Sequence, residues 1–343
     1  MSNNSDRPLI TFALIAYKQE RFIREAVEGA FHQTYAPLEI IISDDHSPDK
    51  TYEIIQEMAA RYRGIHKVRL NQNTPNLGLC GHINRIMELA AGELIVVAAG
   101  DDISLPERCG KICDAWLSSQ KKARSIFSSN IVIDENGAQI GSRNRDPFHE
   151  DDYLPESIIQ SHFAVYGNTH AWSRDVFDRF GPMTLPLTCE DMVIPFRSAL
   201  IGQIAYINEP LVMYRRHGRN VWKNMSDLGD RRAYFEWRQF LLTDRRNIYI
   251  NWLADLSKFN EFEPDKRKHI EQLNKMVTRN LKSVDNELLL IKSTYLQRIS
   301  YIMKSVVNKT SFREILRSIG IALLPSIYFR YLKSKEVRHN SRL

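Results

Sequence analysis

The sequence predicts an α/β fold: a doubly wound, mostly parallel sheet with helices on both faces, followed by a helical C-terminal extension. Three observations carry this expectation. The apolar runs LITFALIA (9–16), LEIIIS (38–43) and LIVVAA (94–99) are flanked by turn residues, as strands buried on both faces are. The segments between such runs place apolar side chains at helical spacing. Strand and helix alternate, four strands and three helices before residue 100. Right-handed crossovers then gather the loops after the strands along one sheet edge, where α/β folds bind ligands.

The elements follow in order. After the first strand, Phe22/Ile23, Ala26/Val27 and Ala30/Phe31 form one apolar stripe of a helix packed on the sheet. After the second, Ser47 is expected to cap a helix with Pro48 at its first position and Tyr52, Ile55, Met58, Ala59 and Tyr62 inward. HKVRL (66–70) supplies the third strand. A third helix carries Ile83, Ile86, Met87 and Ala90, ends near Gly92 and leads into the fourth strand. Beyond Asp102 the rhythm changes: a helix spans Leu105 to Leu117, and Asn136-Gly137 is the turn of a hairpin. From about Asp227 to Leu290, heptad-like spacing with dense charge reads as amphipathic helices.

Composition bounds the function. The 343 residues carry net charge +6, are 43% hydrophobic and 10% aromatic, and hold only 15 Gly and 13 Pro, which excludes disordered, collagen-like and low-complexity classes. Residues 296–343 alone hold ten Lys/Arg against Glu314 and Glu336, so the body is slightly acidic and the basicity belongs to the tail. Cys80, Cys109, Cys113 and Cys189 fit no disulfide framework or paired zinc pattern, which points to a reducing cytoplasm. The N-terminus lacks a secretory pattern and no run of 18 apolar residues occurs, so neither export nor a membrane span is expected.

Chemistry-bearing residues cluster in the loops after strands. AYKQE offers Tyr17, whose ring could stack on a nucleobase, and Glu20, which a solvated helix start explains equally. DDHSPD puts Asp44 and Asp45 at the end of a buried strand, where carboxylates can accept hydrogen bonds from a base or ribose. AAGDD delivers Gly100, Asp101 and Asp102 together. Adjacent carboxylates repel and resist desolvation, so a hard divalent ion, Mg²⁺ or Mn²⁺, is their natural partner. Glu190 and Asp191 of TCED precede a helical stretch; the helix dipole explains them, and so does a general base. YRRHGRN (214–220) could contact phosphate or metal through His217, or be a solvated turn.

In combination these motifs are specific. FALIAYKQERFIREAVEGAFHQTY, LEIIISDDHSPDKT, NLGLCGHINRIMELAAGELIVVAAGDD, CEDMVIPFRSALIG and YRRHGRN, spread from Leu9 to about Asn220, resemble the family 2 glycosyltransferases. That resemblance implies a GT-A Rossmann-like fold and an inverting, metal-dependent, nucleotide-sugar-using enzyme. It implies a nucleotide-sugar site of Ala16, Tyr17, Glu20, Asp44, Asp45, Gly78 and Asp101. Tyr17 and Glu20 lie against the base, Asp45 reads the uracil or ribose edge, and Asp101 sits near the ribose. It further implies Asp102 and His217 at Mn²⁺ or Mg²⁺, and Asp191, paired with Glu190, as catalytic base. The chain departs from the family pattern at Ile15-Ala16-Tyr17-Lys18, usually PTYN, at His46, usually glycine, and at Ala99, where a further acid is common.

The expectation is transfer of a sugar from a nucleotide diphosphate, UDP favoured, to a hydroxyl of a glycan or lipid-linked acceptor with inversion, in bacterial surface polysaccharide synthesis (O-antigen, capsule or lipopolysaccharide). Residues 1–225 would form the catalytic domain, 226–295 a helical extension and 296–343 a basic amphipathic tail. The tail's aromatic-apolar patch among basic residues fits either an anionic membrane surface or a helix packed on the domain. Localisation is expected to be cytoplasmic, peripheral on the inner face of the membrane if the tail binds lipid. No nucleic-acid motif is found. The rival readings are a nucleotidyltransferase of similar fold, which would release pyrophosphate, and a donor-binding inactive module.

Overall fold

The structure, a computed structural model, describes residues 7–145, 147–161, 165–184, 186–218 and 231–292. The strands are β1 (Ile10–Ala16), β2 (Leu38–Asp44), β3 (Lys67–Gln72), β4 (Leu94–Ala99), β5 (Ile103–Ser104), β6 (Ala123–Ile133), β7 (Gln139–Arg143), β8 (Ala171–Ser173) and β9 (Gln203–Arg215). They form one sheet in the order β3-β2-β1-β4-β8-β6-β9-β5, with β7 paired to β6. β1 runs parallel to β2 and β4, and β2 to β3, so the expected doubly wound half is present. β8 joins it antiparallel to both β4 and β6. The sheet is therefore mixed, mostly parallel, and clothed by helices, as the sequence predicts.

Every residue of β1 is buried, as expected of a central strand covered on both faces. Helix α1 (Ile23–Phe31) lays Ile23, Ala26, Val27 and Ala30 on the sheet. Helix α3 (Gly78–Leu89) does so with Ile83, Ile86 and Met87, and α4 (Arg108–Ser118) with Cys109, Ile112, Cys113 and Trp116. All four cysteines are buried free thiols. One expectation fails: α2 (Thr51–Arg61) starts after the DDHSPD loop, and Ser47 does not cap it. The Ser47 hydroxyl instead donates to Asp44 Oδ1 at 2.5 Å and accepts from the Lys18 N–H at 2.9 Å, bridging two loops. The Asn136-Gly137 hairpin forms, with Gly137 at φ +87° and the Asp134 carboxylate accepting from the Asn136 and Ala138 N–H groups.

The remaining helices are α5 (Pro155–Ser161), α6 (Asp175–Phe180), α7 (Glu190–Ile201), α8 (Arg231–Phe262) and α9 (Arg267–Lys292). The chain divides into two compact units. The first is Met1–Arg219 with Asn251–Asn274, and the second takes in the described parts of Asn220–Ile250 and Lys275–Leu343. Within the first, α7 is braced from α8. The Trp252 indole donates to the Met192 carbonyl and stacks on Phe196 at 4.6 Å, and Arg197 pairs with Asp255 at 2.9 Å. Both partners of that ion pair are buried, the arrangement in which charges are kept only when paired. In the second unit, Arg238–Glu287 (2.8 Å) and Arg246–Asp285 (2.7 Å) tie its two helical stretches together. The basic tail, 296–343, lies outside the described residues, as do Arg219 and Asn220 of the YRRHGRN stretch. Among the described residues, no helix is long and apolar enough to cross a membrane.

Candidate active site

The carboxyl ends of β1 and β2 carry the first group of expected site residues. Ala16 ends β1, and its carbonyl accepts from the Asp45 N–H at 2.9 Å. Tyr17 follows and is 42% exposed, with Lys18 Nζ 4.9 Å from its ring centroid. The chain turns sharply here: Lys18 at φ +57° and His46 at φ +61° both occupy the left-handed region that non-glycine residues rarely adopt. Tertiary hydrogen bonds hold those turns. Besides the Lys18–Ser47 bond, the Gln19 N–H donates to Thr51 Oγ1 (2.8 Å) and the Lys50 N–H to Glu20 Oε2 (3.2 Å).

Asp44 and Asp45 are buried, and both are engaged inside the protein. Asp44 accepts from the Ser47 N–H and hydroxyl and from Gln72 Nε2. Asp45 Oδ1 accepts from Asn73 Nδ2 (2.8 Å) and the Leu77 N–H (2.9 Å), and its Oδ2 from the Gly78 N–H (2.9 Å). Asp45 thus serves as the anionic cap of α3, satisfying N–H groups that a helix start leaves unpaired. Gly78, at φ +69°, is the residue through which the chain turns into that helix. Ala16, Tyr17, Glu20, Asp44, Asp45 and Gly78 therefore form one contiguous wall.

The second group is assembled by strand register. β5 pairs antiparallel with β9, Ile103 opposite Met213, which brings the Gly100-Asp101-Asp102 loop against the end of β9. The Arg215 N–H donates to Asp102 Oδ1 at 2.8 Å, its Nε to the Asp101 carbonyl at 3.0 Å, and its Nη2 to Glu25 at 2.9 Å. His217 Nε2 lies 3.0 Å from Asp101 Oδ2, with its ring 5.0 Å from that of Phe22. The Asp102 carboxyl is held well above the usual range by burial and by neighbouring Asp101, against the opposing effects of the Arg215 N–H, Asn168 and Arg108.

The third group, Glu190 and Asp191, opens α7. A turn at Gly167–Thr169 links it to the second. A Cβ on Gly167 would lie 3.1 Å from Glu190 Oε1 and 3.2 Å from Asp191 Oδ2, so the backbone there touches both carboxylates. The next residue, Asn168, turns its carboxamide towards Asp102, and its carbonyl accepts from the buried guanidinium of Arg108 at 3.4 Å. Arg108 also donates to the Val97 carbonyl (2.7 Å) and Ser104 Oγ (2.8 Å), fixing the turn to β4 and β5.

Asp101, Asp102 and His217 are thus brought together, and Glu190 and Asp191 stand one turn away. Among the described residues, no three His, Cys, Asp or Glu side chains converge as a closed metal cage. The donor set instead fits a hard divalent cation held by one or two carboxylates with the rest of its shell supplied by a bound diphosphate. Sequence reasoning missed Gly167, Asn168, Arg108 and the structural part of Arg215. The only local signal was the Gly-Asn pair, an ordinary turn signature.

Known proteins resemble this chain in sequence and in fold. The uncharacterized protein Rv1520 of Mycobacterium tuberculosis is 32% identical over 231 residues, covering 65% of this chain and 63% of that protein. The chondroitin synthase of Escherichia coli is 26% identical over 216 residues, 62% of this chain and 30% of that protein. The chain therefore matches less than two thirds of the length of these relatives. Among solved structures, Staphylococcus aureus TarS 1-349 in complex with UDP superposes with a TM-score of 0.54 at 15% identity, covering 96% of this chain and 88% of that one. The mannosyltransferase PcManGT from Pyrobaculum calidifontis, in complex with GDP-Man and Mn²⁺, gives a TM-score of 0.50 at 14% identity, covering 97% and 88%. The family model described as glycosyl transferase family 2 matches residues 11–185, just over half of the chain and including both the Asp44-Asp45 and the Asp101-Asp102 loops. The chain belongs to glycosyl transferase family 2.

Proposed function

We propose that this chain, through residues 1–225, is an inverting glycosyltransferase. It moves a sugar from a nucleotide diphosphate, UDP favoured, to a hydroxyl of a glycan or lipid-linked acceptor in bacterial surface polysaccharide synthesis. The observation that carries the reading is the convergence of two acid pairs, Asp101-Asp102 and Glu190-Asp191, on consecutive residues of one turn. The solved neighbours that bind UDP and GDP-Man with Mn²⁺ support the donor class.

In this reading Tyr17 offers its ring to the base, while Asp44 and Asp45, saturated by internal hydrogen bonds, hold the loops that shape the nucleotide pocket. Glu20 braces the same wall through the Lys50 N–H. Asp101 faces the ribose. Asp102, with His217 beside it, would hold Mn²⁺ or Mg²⁺, which when bound offsets the charge of the departing diphosphate. Asp191, next to Glu190, accepts the proton of the attacking acceptor hydroxyl as the new bond forms. Base and leaving group stand on opposite sides of the sugar, which makes the displacement in-line and inverts the anomeric carbon. The protein works in the cytoplasm, with the tail, 296–343, held on anionic lipid at the inner face of the membrane.

The test is calorimetric titration of UDP, GDP, CDP and dTDP with and without Mn²⁺, on the wild type, Asp102→Asn and Asp191→Asn. Metal-assisted binding of one nucleotide should be lost in Asp102→Asn and kept in Asp191→Asn. Turnover in Asp191→Asn should fall by about 10² to 10⁴. Near-normal turnover there would remove the base assignment, and no nucleotide binding by the wild type would remove the donor site.

A further inference from the structure

β7 ends on Arg143, a half-buried cation beside the acid pairs. Strand register puts it there: Arg143 stands opposite Asn130 of β6, and residues directly opposite in an antiparallel pair share a sheet face. On that face the Asn130 carboxamide donates to Asn168 Oδ1 at 3.4 Å. The residue after Arg143 touches the same turn, because the Asn144 carbonyl accepts from the Tyr166 hydroxyl at 2.9 Å and Tyr166 immediately precedes Gly167. The segment is firmly held: the Arg145 N–H donates to the Tyr206 hydroxyl (2.8 Å), its Nε to the Tyr153 hydroxyl (3.1 Å), and Arg215 Nη1 to the Glu135 carbonyl at the hairpin tip (3.3 Å). The Arg143 guanidinium lies 4.5 Å from the centroid of the Tyr214 ring. Burial raises the Tyr214 phenol, Arg143 opposes the rise, and Asp102 and Asp101 add to it, so that ring is within electrostatic reach of both the cation and the acids. Among the described residues the contacts of the Arg143 guanidinium are with Tyr214, and no carboxylate pairs with it. A guanidinium stacked on a ring keeps its N–H edges for a carboxylate or a phosphate.

We propose that Arg143 is an acceptor-binding residue whose guanidinium pairs with an acidic group, a phosphate or a carboxylate, carried by the acceptor. This rests on the proposed transferase reading. The position selects the acceptor over the donor: β7 meets the turn at its Gly167 end, which touches Asp191, where the acceptor hydroxyl gives up its proton. The charge of the diphosphate is met elsewhere, by the cation at Asp102 and His217. The chemistry agrees, since a planar, permanently charged fork matches an oxyanion bidentately. Tyr166 and Tyr214, both half-buried, flank the cation with rings and hydroxyls that suit a sugar unit next to the acidic group.

The experiment compares Arg143→Gln and Arg143→Lys with the wild type, after thermal unfolding has shown that each variant folds. Each protein is first saturated with Mn²⁺ and the nucleoside diphosphate that the wild type binds, chosen from UDP, GDP, CDP and dTDP, so that the donor side is filled. Three probes are then titrated: glucose, which is neutral, glucuronate, which carries a carboxylate, and glycerol 3-phosphate. The wild type should bind at least one acidic probe about 10-fold more tightly than glucose, the worth of one hydrogen-bonded contact to a charged group at a partly exposed site. Preference for glucuronate places the charge on a sugar acid of the glycan, and preference for glycerol 3-phosphate on a phosphate of the chain or its lipid carrier. Arg143→Gln should lose the preference, and Arg143→Lys, which keeps the charge without the fork, should retain part of it, with nucleoside diphosphate affinity unchanged in both. Three results would overturn the inference: no wild-type preference for an acidic probe, an undiminished preference in Arg143→Gln, or a loss of nucleoside diphosphate affinity in that variant, which assigns Arg143 to the leaving-group side. Failure of the wild type to bind any nucleotide would strike the donor-site reading first and take this inference with it.

Discussion

Gly167→Ala isolates the meeting of the two acid pairs from everything else in the fold. The added methyl would lie 3.1 Å from Glu190 Oε1, 3.2 Å from Asp191 Oδ2 and 3.3 Å from Asp191 Cβ. Such separations are a few tenths of an ångström inside comfortable contact, so the carboxylates must give way by that much. Gly167 does not have a left-handed φ, so alanine is permitted by the backbone, and its lower unfolded-state entropy contributes about 0.4 to 1 kcal/mol of stability against the crowding. The net change in unfolding free energy should therefore stay within about 1 kcal/mol of zero. Catalysis is less tolerant: a 1 Å misplacement of reacting groups can cost about 10²-fold, so a shift of about 0.3 Å should lower kcat by roughly 3- to 5-fold. The assay is steady-state turnover on the donor identified by calorimetry, alongside urea unfolding and nucleotide titration of the same preparation. Reduced kcat with unchanged nucleotide affinity and stability is expected. Wild-type kcat in a folded variant would refute the claim that this turn sets the position of Asp191.

Three further outcomes are expected. Arg215→Lys keeps the charge but loses the fork that donates to the Asp101 carbonyl at 3.0 Å and to Glu25 at 2.9 Å; since the side chain is 1% exposed, urea unfolding should show a loss of about 2 to 4 kcal/mol, and a change below about 0.5 kcal/mol would count against a positioning role. Burial beside Arg108 pushes the His170 imidazole from 6.5 down to about 3. Between those values the unfolded chain binds a proton that the folded chain does not, so stability rises with pH by up to about 1.4 kcal/mol per unit from this group, and His170→Gln should flatten the urea-midpoint profile in that window. Finally, the full chain should pellet with anionic liposomes at low salt and lose most of that binding when cut before residue 296, whereas salt-independent absence of binding would end the membrane role of the tail.

What was legible in the sequence and what was not follows from how each residue earns its place. β1, β2 and β4 could be found because a strand covered on both faces has no polar alternation to obscure it, and their end-of-strand acids came with them. β8 could not: three residues, Ala-Trp-Ser, become a strand only because β4 and β6 flank them. The start of α2 was misplaced for a related reason, since Ser47 has the chemistry of a cap but spends it on Asp44 and Lys18, which meet it only in the folded chain. The site divides the same way. Asp101, Asp102, Glu190 and Asp191 are charged groups at element ends and stand out locally. Arg215 looks like one more cation in a basic turn until the β5–β9 register sets its N–H on Asp102 and its guanidinium on the Asp101 carbonyl. Gly167 and Asn168 look like any turn until α7 and β4 arrive on either side. A family motif names groups that can do chemistry, whereas the residues that hold those groups at working distance are chosen by pairing register and close backbone approach. Variation within one family should therefore be sought first among residues such as Asn168, Arg215 and Lys18, where the acids stay fixed and the space between them is redrawn.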